Sequence, residues 1–312
     1  MINKKKKKIL VVLGGTSKER EVSLKSGKAC IKALKSLGHN VEIFDPAKDH
    51  LRKIKNMKID IIFNALHGKD GEDGNAQSYF EYFKTPYTHS GIISSMNAMD
   101  KITSKEFFKK NNIKTPEHFA FNSINFSTKY IKKLLLKYKL KYPLVIKPSD
   151  EGSSIGVKIC NSFNDLNKFS TLLLKNYKSM IVERFIKGQE IQVAVMNGKA
   201  LGAIELQPKR IFYDYKAKYS KSAKTKHIMP ANISKSQYSK VLKLAVKAHK
   251  LLKCRGITRS DFKLEKGKFL LLEINTQPGM TDLSLVPEIA KYKGISFNNL
   301  VKNIINDASI NR

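Results

Sequence analysis

The sequence predicts a mixed α/β fold with a parallel sheet near its beginning and strand hairpins further along the chain. The first third alternates short apolar segments with helical segments, and glycine-rich loops follow the apolar segments, which is typical of a parallel sheet covered by helices. Further along, Asn197 and Gly198 separate two strand-like segments and are a strong hairpin signal. The length of 312 residues indicates two or three domains.

Three strands are predicted in the first third, each a short apolar segment that ends at turn-forming residues. They are Ile9–Leu13, Val41–Phe44 and Ile59–Phe63. Apolar residues recur at helical spacing over Ser23–Leu37, and Gly38 ends this predicted helix. A second helical pattern covers Ser94–Asn111.

The rest of the chain contains more predicted strands than helices. The strands are Leu144–Lys147, Val157–Ile159, Met180–Glu183, Glu190–Met196, Arg259–Leu264 and Phe269–Ile274. The helices are Asn164–Lys175, Ser236–Lys253 and Phe297–Ile305. The polar stretch Tyr213–Pro230 has little periodicity and is predicted to be a loop, which at that length is usually functional.

Lysine dominates the charge of the chain. The formal net charge is +33, and 52 of the 59 basic residues are lysines spread over the whole sequence. Base recognition and bidentate phosphate binding favour arginine, of which there are seven. We therefore interpret the lysines as residues of solvated faces and expect no nucleic-acid partner. A non-catalytic basic nucleic-acid-binding protein is the alternative that the charge by itself supports.

The sequence also predicts a cytoplasmic location without membrane association. No apolar run approaches the roughly 20 residues that a membrane span requires, and the apolar segment after Lys4–Lys8 is too short for a signal peptide. The cysteines, Cys30, Cys160 and Cys254, are odd in number and far apart, so they predict neither a disulfide framework nor a zinc site.

A glycine-rich turn, Gly14–Ser17, leads into the first predicted helix and is followed by Glu19 and Glu21. Backbone N–H groups at such a turn suit an anion, but two carboxylates would repel a phosphate. The simpler interpretation is that both acids stabilise the helix N-terminus. The alternative is that Glu19 presents its carboxylate to the ammonium group of a substrate.

The segment Lys147–Gly156 begins with a lysine at the end of an apolar strand. Burying such a lysine is costly unless it has an anionic partner. The following Gly-Ser-Ser-Ile-Gly loop offers backbone donors and hydroxyl groups to a phosphate. We favour a phosphate site over the alternative, a tight hairpin whose lysine reaches solvent.

Three oxygen-bearing side chains near the end of the chain predict a metal site. Glu273 and Asn275 are two residues apart and share one face of a strand, and Asp261 lies on the strand expected to pair with it. Two carboxylates and an amide oxygen suit Mg²⁺ or Mn²⁺ with nucleotide phosphates as further ligands. Arg259, on the same face, would stabilise developing negative charge. The alternative is a surface salt bridge between Arg259 and Asp261.

Two further signals are weak by themselves. His67 lies in the loop His67–Gly74, where it is expected to orient a loop or a substrate rather than to transfer a proton. Lys101, which follows Asp100, is one lysine among 52, so its position alone assigns it no role.

Taken in order, five segments resemble those of ATP-grasp carboxylate–amine ligases, specifically of the D-alanine–D-alanine ligase family. The five segments are Leu13–Ser23, Ala65–Gly74, Glu151–Ser154, Tyr213–Tyr219 and Glu273–Met280. The resemblance extends from Ile9 to about Ile305. Five such segments in one order are far more specific than any one of them.

The resemblance implies a three-domain ATP-grasp fold. An N-terminal Rossmann-like domain with a parallel sheet would span residues 1–98, and α+β ATP-grasp subdomains would span 99–186 and 187–312. In this family ATP converts the carboxylate of one D-alanine into an acyl phosphate, which the amine of a second D-alanine attacks. The resemblance also implies a homodimer and a role in peptidoglycan precursor synthesis. Another ligase of this class, using D-lactate or D-serine, is the alternative.

The resemblance assigns binding roles by position within the motifs. The residues implied for ATP are Lys101, Lys147, Ser154, Glu183, Arg184, Phe185, Ile186, Glu190 and Phe212. The residues implied for two Mg²⁺ or Mn²⁺ ions are Asp261, Glu273 and Asn275. Those implied for the D-alanine substrates are Glu19, His67, Ser284 and Leu285.

The resemblance also implies catalytic roles, for Glu19, Ser153, Lys218, Tyr219, Arg259 and Gly279. Arg259 and the Gly279 N–H would stabilise the oxyanion, and Lys218 would reach the transferring phosphate. Tyr219 would hydrogen-bond with Ser153 and Glu19 to hold a lid loop closed, and in this family that tyrosine accompanies an amine as second substrate.

Overall fold

Three β-sheets organise the chain in this computed structural model, which describes residues 6–208, 225–281 and 283–312. The strands are β1 Lys8–Val12, β2 Asn40–Phe44, β3 Ile61–Asn64, β4 His118–Asn122, β5 Leu144–Pro148, β6 Lys158–Cys160, β7 Ser179–Arg184, β8 Gln189–Met196, β9 Lys199–Gln207, β10 Lys226–Ile228, β11 Ile257–Glu265 and β12 Lys268–Asn275. The helices are α1 Arg20–Ser36, α2 Asn75–Tyr82, α3 Ile92–Met99, α4 Lys101–Lys110, α5 Thr128–Tyr138, α6 Phe163–Leu174, α7 Lys235–Leu251, α8 Leu285–Tyr292 and α9 Phe297–Asn306, with a 3₁₀ helix at Leu51–Asn56.

The predicted N-terminal parallel sheet is confirmed, with strand order β2-β1-β3. Its strands lie within two residues of the predicted bounds, while α1 begins at Arg20, three residues before the predicted start. Apolar residues of β1 and β3 point to both faces, which is the pattern expected of a parallel sheet covered on both sides.

The two remaining sheets are antiparallel. The central sheet has the order β4-β7-β5-β6, and the C-terminal sheet has the order β10-β9-β8-β11-β12. The predicted hairpin at Asn197 and Gly198 is confirmed and joins β8 to β9. Both residues have positive φ, 50° and 72°, as a tight two-residue turn between twisted strands requires.

The single helix predicted over Ser94–Asn111 is wrong, because the structure has two helices there. Asp100 has an extended backbone between them, and its carboxylate accepts hydrogen bonds of 2.8 Å from the N–H groups of Ile102 and Thr103. This side-chain cap starts a new helix. As a result, Lys101 occupies the first position of α4.

The loop predicted over Tyr213–Pro230 is wrong at its end. Lys226–Ile228 forms β10 and pairs with Glu205–Gln207 of β9, so the C-terminal sheet gains an edge strand there. Residues 213–224 of the predicted loop lie outside the described residues.

The hydrophobic cores cross the predicted domain boundaries at two places. Side chains of α8 and α9 share a core with β1, β3 and the C-terminal sheet. Phe108 and Ile113 pack in the core between the C-terminal sheet and α7, although residues 99–186 were predicted to be the central subdomain. The boundaries therefore remain a prediction. Every helix of the described segments is too short or too polar to cross a membrane.

Candidate active site

Two adjoining cavities lie where the three sheets meet. The larger cavity lies between the central and C-terminal sheets and is lined by residues of β5, β7, β8, β11 and β12. The smaller cavity is lined by residues of the N-terminal domain, of the loop after β5 and of β12. Lys101 and Glu273 line both cavities, so the two are neighbours that share a wall, and we treat them as one candidate site.

Asp261, Glu273 and Asn275 share one face of the β11–β12 hairpin, as predicted, while their convergence on a metal ion stays a prediction. In the β11–β12 register Asp261 is opposite Glu273 and Arg259 is opposite Asn275, so all four side chains lie on one face of the hairpin. A register shift follows Asp261, where the strand is locally irregular. Glu273 faces both cavities, while Asp261 lines the larger one and Asn275 the smaller one.

Arg259 holds Asp261 with two hydrogen bonds. Its Nε and Nη2 donate to the two carboxylate oxygens at 2.8 and 3.0 Å. The ion pair that the alternative invoked is therefore present, but its side chains are only 14% and 6% exposed, so it does not lie on the surface. The Oδ1 atom of Asn275 accepts a hydrogen bond from the Gln277 N–H at 2.8 Å, which fixes the amide orientation.

The chemistry of this donor set fits a hard divalent cation. Within the segments that the structure describes, no group of three or more His, Cys, Asp and Glu side chains could hold a metal. The set here is two carboxylates and one amide, which offer oxygen donors at the two cavities. Mg²⁺ characteristically binds through few protein oxygens and completes its octahedron with phosphates and water.

Lys101 and Lys147 both line the larger cavity and are nearly buried. The Lys101 Nζ donates to the Glu151 carbonyl at 2.5 Å and lies 3.5 Å from Glu273 Oε2. The Lys147 Nζ lies 3.0 Å from Glu183 Oε2. The anionic partner that burial of Lys147 demands is therefore supplied by the protein itself.

Lys105 was missed in the sequence, although it is fully buried beside the site. Its Nζ lies 3.0 Å from Glu183 Oε1 and donates to the Leu272 carbonyl at 3.1 Å. Burial raises the pKa of Glu183, but the two lysines outweigh burial and hold it well below its usual range. Burial lowers the pKa of Lys105 despite the attraction of Glu183. The available signal was its position one helical turn after Lys101.

The described residues implied for ATP line the larger cavity, and several have protein partners. Arg184 forms an ion pair at 2.8 Å with Glu117, which precedes β4, and one at 2.9 Å with Glu265, which links β7 to β11. The Glu190 carboxylate lies 3.0 Å from Lys263 Nζ. Phe185, Ile186 and Ser154 also line this cavity. Their roles toward ATP stay predictions.

Glu19 and Ser153 meet in the smaller cavity, as the resemblance implied. Ser153 Oγ donates a hydrogen bond to Glu19 Oε1, and both side chains are buried. A Cβ at Gly68 would lie 2.6 Å from Glu19 Oε2 and one at Gly152 2.8 Å from it, so both glycines are needed for this close approach. Ser153 and Ser154 both have positive φ, 48° and 61°, a strain that is typical of functional loops.

His67 is fixed from both sides. Its Nδ1 lies 2.8 Å from Glu72 Oε1, and its Nε2 lies 3.2 Å from Ser26 Oγ, which also accepts the Met280 N–H at 3.0 Å. A neutral ring protonated at Nδ1 satisfies every one of these groups. This agrees with the prediction that His67 orients a loop, since its two ring nitrogens already have partners.

Lys18, another residue that the sequence analysis missed, connects the N-terminal domain to the central subdomain. Its Nζ donates to the Tyr177 hydroxyl at 2.6 Å and lies 3.4 Å from Glu151 Oε1. We call these three residues the clasp. The clasp connects the loop that carries Glu19 to the loop that carries Ser153.

The residues predicted for the second D-alanine lie at the start of α8. Ser284 precedes the helix, and its Oγ accepts the Thr281 N–H at 2.9 Å. A Cβ at Gly279 would lie 2.9 Å from that Oγ. The Leu285 side chain is buried in the core, so only its backbone is available to a carboxylate. Phe212, Lys218 and Tyr219 lie outside the described residues.

Comparisons with known proteins agree with this geometry. A family model described as the D-ala D-ala ligase C-terminus matches residues 107–306, and one described as the D-ala D-ala ligase N-terminus matches residues 42–90. A D-alanine–D-alanine ligase from Pelagibacter ubique is 54% identical over 306 residues, covering 98% of this chain and 99% of the relative.

Two solved structures show the same architecture. The D-alanine–D-alanine ligase from Bacillus anthracis complexed with ATP has a TM-score of 0.83 and 30% identity, with 97% of this chain and 96% of that chain covered. A D-Ala:D-Ser ligase from Enterococcus faecalis has a TM-score of 0.84 and 28% identity, with 97% and 99% covered. With the sequence matches over nearly the whole length, these likenesses show that the chain belongs to the D-alanine–D-alanine ligase family.

Proposed function

We propose that the chain joins two D-alanine molecules into D-alanyl-D-alanine at the expense of ATP, through an acyl-phosphate intermediate, for peptidoglycan precursor synthesis. The observation that carries this proposal is that Lys101 and Glu273 line both cavities. A phosphoryl group bound beside these two side chains in the larger cavity would lie next to a carboxylate bound in the smaller one.

Lys101 and Lys147 would hold the ATP phosphates, since both are cations with little exposure to water. Asp261, Glu273 and Asn275 would hold two Mg²⁺ or Mn²⁺ ions. When bound, such ions neutralise charge that develops during phosphoryl transfer. Arg259, which lines the smaller cavity, would face the reacting carboxylate.

Glu19 would bind the ammonium group of the first D-alanine, because its buried carboxylate lines the smaller cavity next to Ser153. Arg259 and the Gly279 N–H would stabilise the oxyanion that forms when the second amine attacks. Ser284 and the Leu285 backbone would receive the second carboxylate at the N-terminus of α8.

The test is turnover by the purified chain with ATP, Mg²⁺ and D-alanine. Phosphate release should require D-alanine, and D-alanyl-D-alanine should be found by mass spectrometry. Glu273→Gln is expected to lower kcat at least about 100-fold, since it removes a carboxylate from the proposed metal set. Glu42→Gln, at an exposed carboxylate of β2, is the control. Equal turnover with L-alanine, or an active Glu273→Gln variant, would contradict the proposal.

D-serine and D-lactate are the competing second substrates, and the likeness to a D-Ala:D-Ser ligase makes D-serine the one to measure first. Competition between D-alanine and D-serine for product formation decides between them.

We also propose that the chain is a homodimer, which native mass spectrometry tests. We place it in the cytoplasm, where ATP is available and where its three buried, unpaired cysteines stay reduced.

A further inference from the structure

A buried cluster of three charged groups lies against the larger cavity. Lys105, Lys147 and Glu183 come from α4, β5 and β7, and their exposed fractions are 0%, 8% and 3%. The Lys105 Nζ lies 3.0 Å from Glu183 Oε1, and the Lys147 Nζ lies 3.0 Å from Glu183 Oε2, so each ammonium group pairs with a different carboxylate oxygen. Burying such a cluster costs desolvation free energy, which is offset only by attraction between its opposite charges and by hydrogen bonds.

The two lysines are not equivalent. Lys147 lines the cavity, whereas the Lys105 Nζ is enclosed and donates to the carbonyl of Leu272, next to Glu273 in β12. Two ammonium groups and one carboxylate leave the cluster with a net charge of +1. The Lys105 side chain is fully buried and does not line the cavity. Of the two lysines, only Lys147 can therefore present the excess positive charge to a ligand there.

We propose that Lys105 is a positioning residue that serves as the permanent counter-ion of Glu183 and so leaves the charge of Lys147 available to the nucleotide phosphates. Without Lys105, Glu183 would neutralise Lys147, and the pair would present no net charge to a polyphosphate. The inference rests on the proposed function only in that ATP binds in the larger cavity.

The test separates phosphate binding from binding of the nucleoside. Isothermal titration calorimetry would measure the affinity of the whole chain for a non-hydrolysable ATP analogue with Mg²⁺ and for adenosine, and the readout is the ratio of the two affinities. For Lys105→Met, loss of one charged interaction is expected to lower the ratio roughly ten- to a hundredfold. Adenosine affinity should change little, because adenosine carries no phosphate.

Two variants distinguish this role from a merely structural one. The double variant Lys105→Met with Glu183→Gln restores the net charge of +1, and its ratio should return to within about twofold of the unaltered chain. Phe108→Leu alters a fully buried residue of the same helix and should leave the ratio unchanged even if it weakens both affinities.

The inference would be overturned if Lys105→Met lowered the affinities for the ATP analogue and for adenosine equally. It would also be overturned if the double variant had a lower ratio of these affinities than Lys105→Met. If Lys105→Met does not fold, the double variant decides by the same ratio. Failure of the proposed ligase reaction appears elsewhere, as an absence of D-alanine-dependent phosphate release in the unaltered chain.

Discussion

The loop that carries Glu19 is held by Asp45, and replacing Asp45 with asparagine tests how much that contact stabilises the fold. The Arg20 guanidinium donates to both Asp45 oxygens at 3.0 and 2.7 Å, and the Gly15 N–H donates at 3.0 Å. These donors, Arg20 foremost, lower the pKa of Asp45 from 3.8 to about 2 despite some burial. Asp45→Asn removes the charge while keeping the shape.

The size of the effect follows from the pKa. A shift from 3.8 to about 2 corresponds to about 2 kcal/mol of unfolding free energy. The Arg20 side chain is 35% exposed, and solvent screening reduces the expected loss to about 1–2 kcal/mol at pH 7. Because the folded pKa is depressed, this stabilisation is present above pH 4 and is lost as the pH falls through 2.

Urea denaturation of the unaltered chain and of Asp45→Asn, at pH 7 and at steps below pH 4, measures this difference. Asp49→Asn is the matched control, since Asp49 is 48% exposed and pairs only with the exposed Lys53 among the described residues. The reasoning would be refuted if the difference in unfolding free energy between the unaltered chain and Asp45→Asn did not become smaller below pH 4. It would also be refuted if Asp49→Asn lost the same unfolding free energy at pH 7. The KM for D-alanine should also rise in Asp45→Asn, because Glu19 lies on the same loop.

Two further predictions concern contacts between domains. Ser26→Ala leaves His67 Nε2 and the Met280 N–H without their shared partner in a buried place, so it should lower the unfolding free energy by about 1–3 kcal/mol in urea denaturation, and an unchanged midpoint would argue against the assigned contacts. Lys18→Ala opens the clasp, and because Lys18 is 59% exposed the KM for D-alanine should rise only about two- to fivefold. Tyr177→Phe should act in the same direction, and an unchanged KM in both variants would exclude a role for the clasp in closing the site.

Local periodicity was enough to predict the shared face of the β11–β12 hairpin. The two-residue spacing of Glu273 and Asn275, with Asp261 one strand earlier, predicts a shared face, and the observed register places them there. The hairpin at Asn197 followed from turn chemistry in the same way. Both signals lie within short stretches of sequence, where backbone geometry determines which face a side chain occupies and where the chain turns.

The features that the sequence analysis missed depend on contacts between distant residues. Lys105 is one of 52 lysines, and its buried role appears only when Glu183 and Leu272 are brought beside it. The end of the helix at Met99 depends on the Asp100 side chain turning back onto its own backbone, which the continuous helical pattern hides. The edge strand β10 forms because β9 offers an unpaired edge, not because of its own sequence.

The shared core of α8, α9 and the N-terminal sheet has a consequence for biosynthesis. Ile9 and Phe63 are synthesised long before Leu300 and Ile304, which belong to one of the layers that shield them from water. Co-translational folding of the first sheet can therefore be completed only after α9 has been synthesised. A nascent chain stalled before residue 285 would expose an aliphatic surface that attracts chaperones or other nascent chains.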